Sequence, residues 1–116
     1  MQLIISKGLN NNKDKVFFSK SELQIILQTY SKQVSCGVCK DYSIDHSKQK
    51  AIFSFFRTTF EKPIFQIEKK NNVKSKLLFD FSITYKQKII ETNVSLSKIL
   101  KKLEKKFVFF QKNKQG

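Results

Sequence analysis

The sequence predicts an α+β domain: an amphipathic helix, an antiparallel four- or five-stranded sheet in mostly sequential order, and a C-terminal helix, with both helices on one face. Three observations predict it. A helix-start signal stands at Ser19 to Glu22, apolar alternation of period two recurs between positions 41 and 92, and a second apolar stripe at helical spacing joins Leu96 to Phe107.

Length and charge bound the rest. At 116 residues and 13.6 kDa the chain has the size of one domain, enough to bury roughly two thirds of its unfolded surface without disulfides. The organisation expected is a flexible arm over 1–15, an α+β domain over 16–107 and a basic tail over 108–116. The longest apolar run, Phe107 to Phe110, is four residues, far below the ~20 that span a bilayer. The N-terminus has no charged region followed by an apolar one, so no secretory signal is expected and the cytoplasm is the expected setting. The net charge of +14 has the sign of a nucleic-acid binder. Yet 22 of the 23 basic residues are Lys and only Arg57 is Arg, whereas bidentate recognition of phosphate and guanine prefers Arg. Lys, Asn, Ile and Phe are enriched together, as AT-rich codons alone would produce.

Each element has its own warrant. Ser19 and Glu22 form a capping box, Phe18 and Leu23 a hydrophobic staple. From there Leu23, Ile26, Leu27, Tyr30 and Val34 mark one helical face, and Gly37 suits the helix end. Tyr42 and Ile44 alternate with polar residues in a first strand. Phe53 and Phe55 then oppose Ile52, Ser54 and Phe56 in a strand apolar on both faces, hence an inner one. Pro63 opens a third strand with Phe65 and Ile67 inward and Gln66 and Glu68 outward. A basic loop from Lys70 leads to a strand over 77–85, with Leu77, Phe79, Phe81, Ile83 and Tyr85 on one face. Lys86 and Gln87 have the length of a hairpin turn, although neither favours the positive φ such turns require. Asn93 or Ser95 caps the last helix, whose stripe is Leu96, Ile99, Leu100, Leu103 and Phe107. Phe107 to Phe110 either closes the core or, if the helix continues, leaves Phe109 exposed beside lysines.

The C-x-x-C of Cys36 and Cys39 is weak as a redox or zinc motif. It falls at a helix C-terminus, where the helix dipole disfavours a thiolate. A tetrahedral site would have only His46 and one of Asp41 or Asp45 to add.

The segments D-Y-S-I-D at 41–45, A-I-F-S-F-F-R at 51–57 and P-I-F-Q-I-E-K at 63–69 resemble, in the same order, the D-Y-A-I-D, A-V-F-S-V-F-R-R and P-L-Y-R-I-E-K patterns of a small alphaproteobacterial family carrying a domain of unknown function. The resemblance covers roughly residues 16–105 and departs at Gly37 to Cys39, where the family has Gly-Glu-Trp. It implies a bacterial cytoplasmic setting, brings no catalytic residue, and singles out Asp41, Tyr42, Asp45, Arg57 and Glu68 as binding candidates. Phe109 joins them from the aromatic tail.

No nucleophile elbow, phosphate-cradling loop or second histidine is present, so an enzyme is not expected, and neither a cofactor nor a bound metal. The expected function is that of a small, basic, non-catalytic binding protein docking on a protein or nucleoprotein complex. Direct nucleic-acid binding through lysines and aromatics is the alternative, with a thiol or zinc role third. A membrane is not an expected partner, and a small-molecule ligand is left open.

Overall fold

The computed structural model describes residues 15–59, 61–75 and 77–115. The expected N-terminal arm lies, up to residue 14, outside the described residues. Helix α1 (Lys20–Ser35) starts as its capping box dictates: Ser19 Oγ accepts from the Glu22 amide at 3.1 Å, and Glu22 Oε1 accepts from the Ser19 amide at 2.7 Å. It ends at Gly37, whose φ of 78° lets the Gly37 amide reach the Val34 carbonyl (3.0 Å) and the Val38 amide that of Gln33 (2.8 Å). That double closure is a Schellman motif. The helix buries Ile26, Thr29 and Gln33. Val34, expected on the buried stripe, is instead 44% exposed; it stands about 100° around the helix from Gln33 and so turns away.

Five strands follow: β1 (Asp41–His46), β2 (Lys50–Phe56), β3 (Phe65–Asn71), β4 (Phe79–Tyr85) and β5 (Lys88–Asn93). They form one antiparallel meander in the order β1-β2-β3-β4-β5, so β2 is an inner strand. The register sets Tyr42 opposite Phe55, Phe55 opposite Phe65, Phe53 opposite Ile67 and Ile67 opposite Ile83. One face therefore carries the large apolar side chains, and both helices pack on it. Leu77 and Leu78, expected in the fourth strand, precede it and are 91% and 51% exposed. The cause is Asn72, whose Oδ1 accepts from the Lys74 and Ser75 amides (2.8 and 3.0 Å) and turns the chain before pairing resumes. At the other end Lys86 and Gln87 adopt φ of 51° and 70°, the positive pair that a two-residue turn needs to match strand twist. Two non-glycine residues in that region carry a strain of about 1–2 kcal/mol each.

Helix α2 (Leu96–Gln115) is capped by Ser95, whose Oγ accepts from the Lys98 amide at 3.3 Å, while Asn93 Oδ1 accepts from Ser95 itself at 2.8 Å. It runs unbroken through position 107. Ile99, Leu103 and Phe107 are essentially fully buried, and Phe107 meets Phe55 and Phe65 edge-on at 5.3 and 5.0 Å between ring centroids. Burying such a ring is worth about 1.5–3 kcal/mol, with a further ~0.5–1.5 for each well-placed aromatic pair. This cluster closes one end of the core. Among the described residues no helix is long and apolar enough to cross a membrane.

Candidate functional site

The face of the sheet turned away from the helices holds three of the residues singled out by sequence. The register puts Asp45 opposite Ile52 and Ile52 opposite Glu68, so two strand spacings separate the carboxylates. Asp41 opens β1 and accepts from the Tyr42 amide at 2.8 Å. Glu68 is nearly buried and pairs with Lys50 Nζ at 3.4 Å. The polar groups beside it satisfy one another: Gln66 Nε2 donates to Ser54 Oγ (2.9 Å), Thr84 Oγ1 donates to Gln66 Oε1 (3.2 Å), and Ser82 and Thr92 share a bond of 3.1 Å. A surface whose donors and acceptors are already spent on each other has little left for a ligand.

Tyr42 lies on the opposite, helix-bearing face. Its ring stacks on Phe53 at 5.1 Å and meets Tyr30 edge-on at 4.9 Å. Burial, followed by the nearby Asp41 carboxylate, raises the Tyr30 hydroxyl above its ordinary value. His46 is exposed and packs against Phe17 with the rings tilted, centroids 4.4 Å apart; partial burial lowers its pKa, Asp45 partly opposing and Lys15 adding to the effect. Cys36 is exposed at the end of α1, while Cys39 is buried and its thiol pushed up to about 12 by burial. Such a group is not a thiolate at neutral pH. Among the described residues no three His, Cys, Asp or Glu side chains group to hold a metal ion.

Arg57 and Phe109 lie elsewhere, at the end of the molecule formed by the β2–β3 connection, the β4–β5 turn and the second half of α2. Two concavities meet there. One, of about 690 Å³, lies between α2 and β5, with Phe65, Tyr85, Ile90, Phe109 and Phe110 as apolar lining and Lys102, Lys105, Lys106 and Glu91 as charged lining. The other, of about 880 Å³, extends past Tyr85 and Phe110 to Arg57, Glu61, Lys62 and Lys86. Both include Phe65, Tyr85 and Phe110, so they adjoin along an aromatic floor.

The geometry follows from local structure. On α2 the positions 102, 105, 106, 109 and 110 recur at i, i+3, i+4, i+7 and i+8, one helical face. The irregularity of β4–β5 pairing at Ile83/Thr84 brings Ile90 and Glu91 to the same side. Glu91 engages Lys102 and Lys106 at 3.4 and 3.5 Å. Lys105 has no carboxylate within ion-pair distance among the described residues. Arg57 donates to Glu61 through Nε and Nη2 at 3.4 and 3.3 Å, and Lys86 Nζ sits 5.3 Å from the Tyr85 ring centroid. Phe109 is 66% exposed beside these cations.

The six sequence candidates thus do not converge. Asp41, Asp45 and Glu68 share the sheet face turned away from α1 and α2, Tyr42 packs on the helix side, and only Arg57 and Phe109 reach the groove. Tyr85, Phe110, Ile90 and Lys105 went unrecognised as site residues. The signal for part of the set was present in the helical spacing of lysines and phenylalanines from Lys102 to Phe110. No curated protein and no solved structure matches the chain. The model of one family of proteins of unknown function matches residues 16–100, which takes in α1, the whole sheet and the start of α2, and the chain belongs to that family, DUF2794.

Proposed function

We propose that this protein is a small non-catalytic binding protein that docks a larger protein partner through the lysine-rimmed aromatic groove between α2 and the β4–β5 hairpin. The observation that carries this reading is Phe109, an aromatic ring two-thirds exposed beside Lys105 and above a floor of Phe65, Tyr85 and Phe110. An exposed aromatic beside an apolar concavity fits an inserted side chain. The six cations lining the two concavities against two carboxylates favour acidic residues flanking that anchor. The partner segment that fits is therefore an apolar anchor with Asp or Glu around it.

A second reading, nucleic-acid binding, draws support from α2, which carries seven lysines and a single glutamate. Lysine supplies charge without the bidentate geometry of arginine, and one exposed ring is a poor stacking platform for successive bases. The test is affinity capture at native abundance with and without nuclease, comparing the parent protein with a Phe109→Glu, Lys105→Glu variant. A protein that survives nuclease and is lost in the variant supports the docking reading. Recovery only with nucleic acid, lost on digestion and with rising salt, supports the second.

A further inference from the structure

The connection between β3 and β4 holds two aliphatic side chains almost entirely in water: Val73 is 97% and Leu77 is 91% exposed, with Leu78 half-exposed behind them. A lone exposed aliphatic residue is ordinary. Here the loop is wired so as to display two. Asn72 donates from its amide to the Leu78 carbonyl (3.0 Å), its Oδ1 accepts from the Lys74 and Ser75 amides, and its Nδ2 donates to Asp80 Oδ1 at 2.9 Å. Ser75 completes the frame, its Oγ accepting from the Leu77 amide and its carbonyl from the Leu78 amide, both at 3.3 Å. These hydrogen bonds hold the loop in the conformation that exposes Val73 and Leu77.

Most of the charge around this tip is positive, exposed Asp45 beside His46 and Lys15 being the exception. Lys70 and Lys74 flank it. The antiparallel order puts the β1–β2 turn with exposed Lys48 at the same end of the sheet, and Val16 donates there to the Ser47 carbonyl, bringing exposed Lys15 alongside. The nearest acid in sequence, Asp80, is turned to Asn72.

We infer that this end of the sheet is a docking tip for an anionic phospholipid surface, with Val73 and Leu77 entering the headgroup boundary and the lysines held at the phosphate level. Lipid fits better than a protein or a second copy, because a specific protein interface needs about 800 Å² per partner and two exposed aliphatic side chains at a loop tip do not supply it. Insertion into a bilayer boundary needs a depth of only about 5–10 Å. Clustered lysines each strengthen attachment to an anionic leaflet by about fivefold. Contact of this kind requires no spanning helix. It also leaves the aromatic groove, at the opposite end of the sheet, facing away from the bilayer.

The chain has no tryptophan, so Leu77→Trp gives a single fluorophore at the tip and Val108→Trp one on α2. The probes are vesicles of phosphatidylcholine alone and of phosphatidylcholine with phosphatidylglycerol. Expected is a blue shift of the Leu77→Trp emission with the anionic vesicles only, no shift for Val108→Trp, and sedimentation of the protein with those vesicles. The charge-neutral Val73→Ser, Leu77→Ser variant should bind them roughly tenfold or more weakly, with circular dichroism unchanged. Equal sedimentation of parent and double variant would assign the binding to diffuse positive charge and overturn the inference. Absence of vesicle binding, or a shift at position 77 produced by a protein and not by lipid, would overturn it as well. Because Phe109→Glu leaves the tip intact, its vesicle binding separates this test from that of the groove.

Discussion

Lys69 Nζ lies 2.8 Å from Glu22 Oε1 and 2.7 Å from the Phe17 carbonyl oxygen, with its ammonium 4.2 Å from the centre of the Phe79 ring. A lysine on the apolar face of the sheet thus holds the N-terminus of α1 through the same glutamate that closes the capping box. Glu22 serves two masters, a backbone amide and a buried cation. The two residues should respond unequally to substitution. Glu22→Ala leaves a 5%-exposed Lys69 with the Phe17 carbonyl and the Phe79 ring but no carboxylate partner and is expected to cost about 3 kcal/mol. Lys69→Met keeps the volume, and leaves Glu22 its amide partner and some solvent, for a cost under about 1.5 kcal/mol. Urea denaturation of both variants checks the order, and a larger loss for Lys69→Met would contradict it.

Gly37 is a second localised dependence. Its φ is 78°, and a Cβ built there meets nothing within 4 Å, so the whole penalty of Gly37→Ala is backbone strain. About 1–2 kcal/mol is expected, with Gly37→Asn milder. Equal stability of all three proteins would mean that the helix end does not depend on the left-handed residue.

Phe107 and Phe109 should separate stability from binding. Phe107→Ala removes a ring only 1% exposed and should cost about 3–5 kcal/mol. Phe109→Ala, in a residue two-thirds exposed, should change stability by no more than ~0.5 kcal/mol. Thermal melts of the two variants give the comparison.

Cys39 links folding to alkaline pH. Its thiol rises from an ordinary 9.0 to about 12 through burial, so the folded state holds the proton where the unfolded state has released it. The stabilisation is fully present below pH 9 and is lost progressively as pH rises from 9 to 12; its limit is roughly 4 kcal/mol. Cys39→Ala removes this contribution, so the variant's stability should fall less steeply over that window. Under native conditions a thiol reagent should label Cys36 and spare Cys39.

The parts of the fold legible in sequence are those written in local chemistry. Ser19 and Glu22 announce a helix start because the capping box is complete within four consecutive residues, and Phe53 beside Phe55 announces an inner strand because period two is a property of the backbone. Leu77 was misplaced because alternation alone extends a strand wherever apolar residues fall in step, while Asn72 had already turned the chain. Val34 failed for the related reason that a helical stripe says which residues are apolar and not how far the helix stays against the sheet. The groove was half legible. Lys102 to Phe110 show its helical wall, but Tyr85 and Ile90 join it only through the β4–β5 hairpin and its irregular pairing, and that is tertiary information. Asp41, Asp45 and Glu68 came forward on a resemblance of linear pattern, which does not distinguish a strand residue kept for the sheet from one kept for a ligand.

The most direct measurement of the central claim is photo-crosslinking in cells from benzoylphenylalanine placed at position 109, with the same residue at position 52 on the opposite sheet face as the comparison. The docking account predicts a discrete protein adduct from position 109 that survives nuclease, disappears when Lys105→Glu is added, and is missing from position 52. An adduct from position 52 with none from 109 would place the interface on the sheet face turned away from α1 and α2 and contradict it.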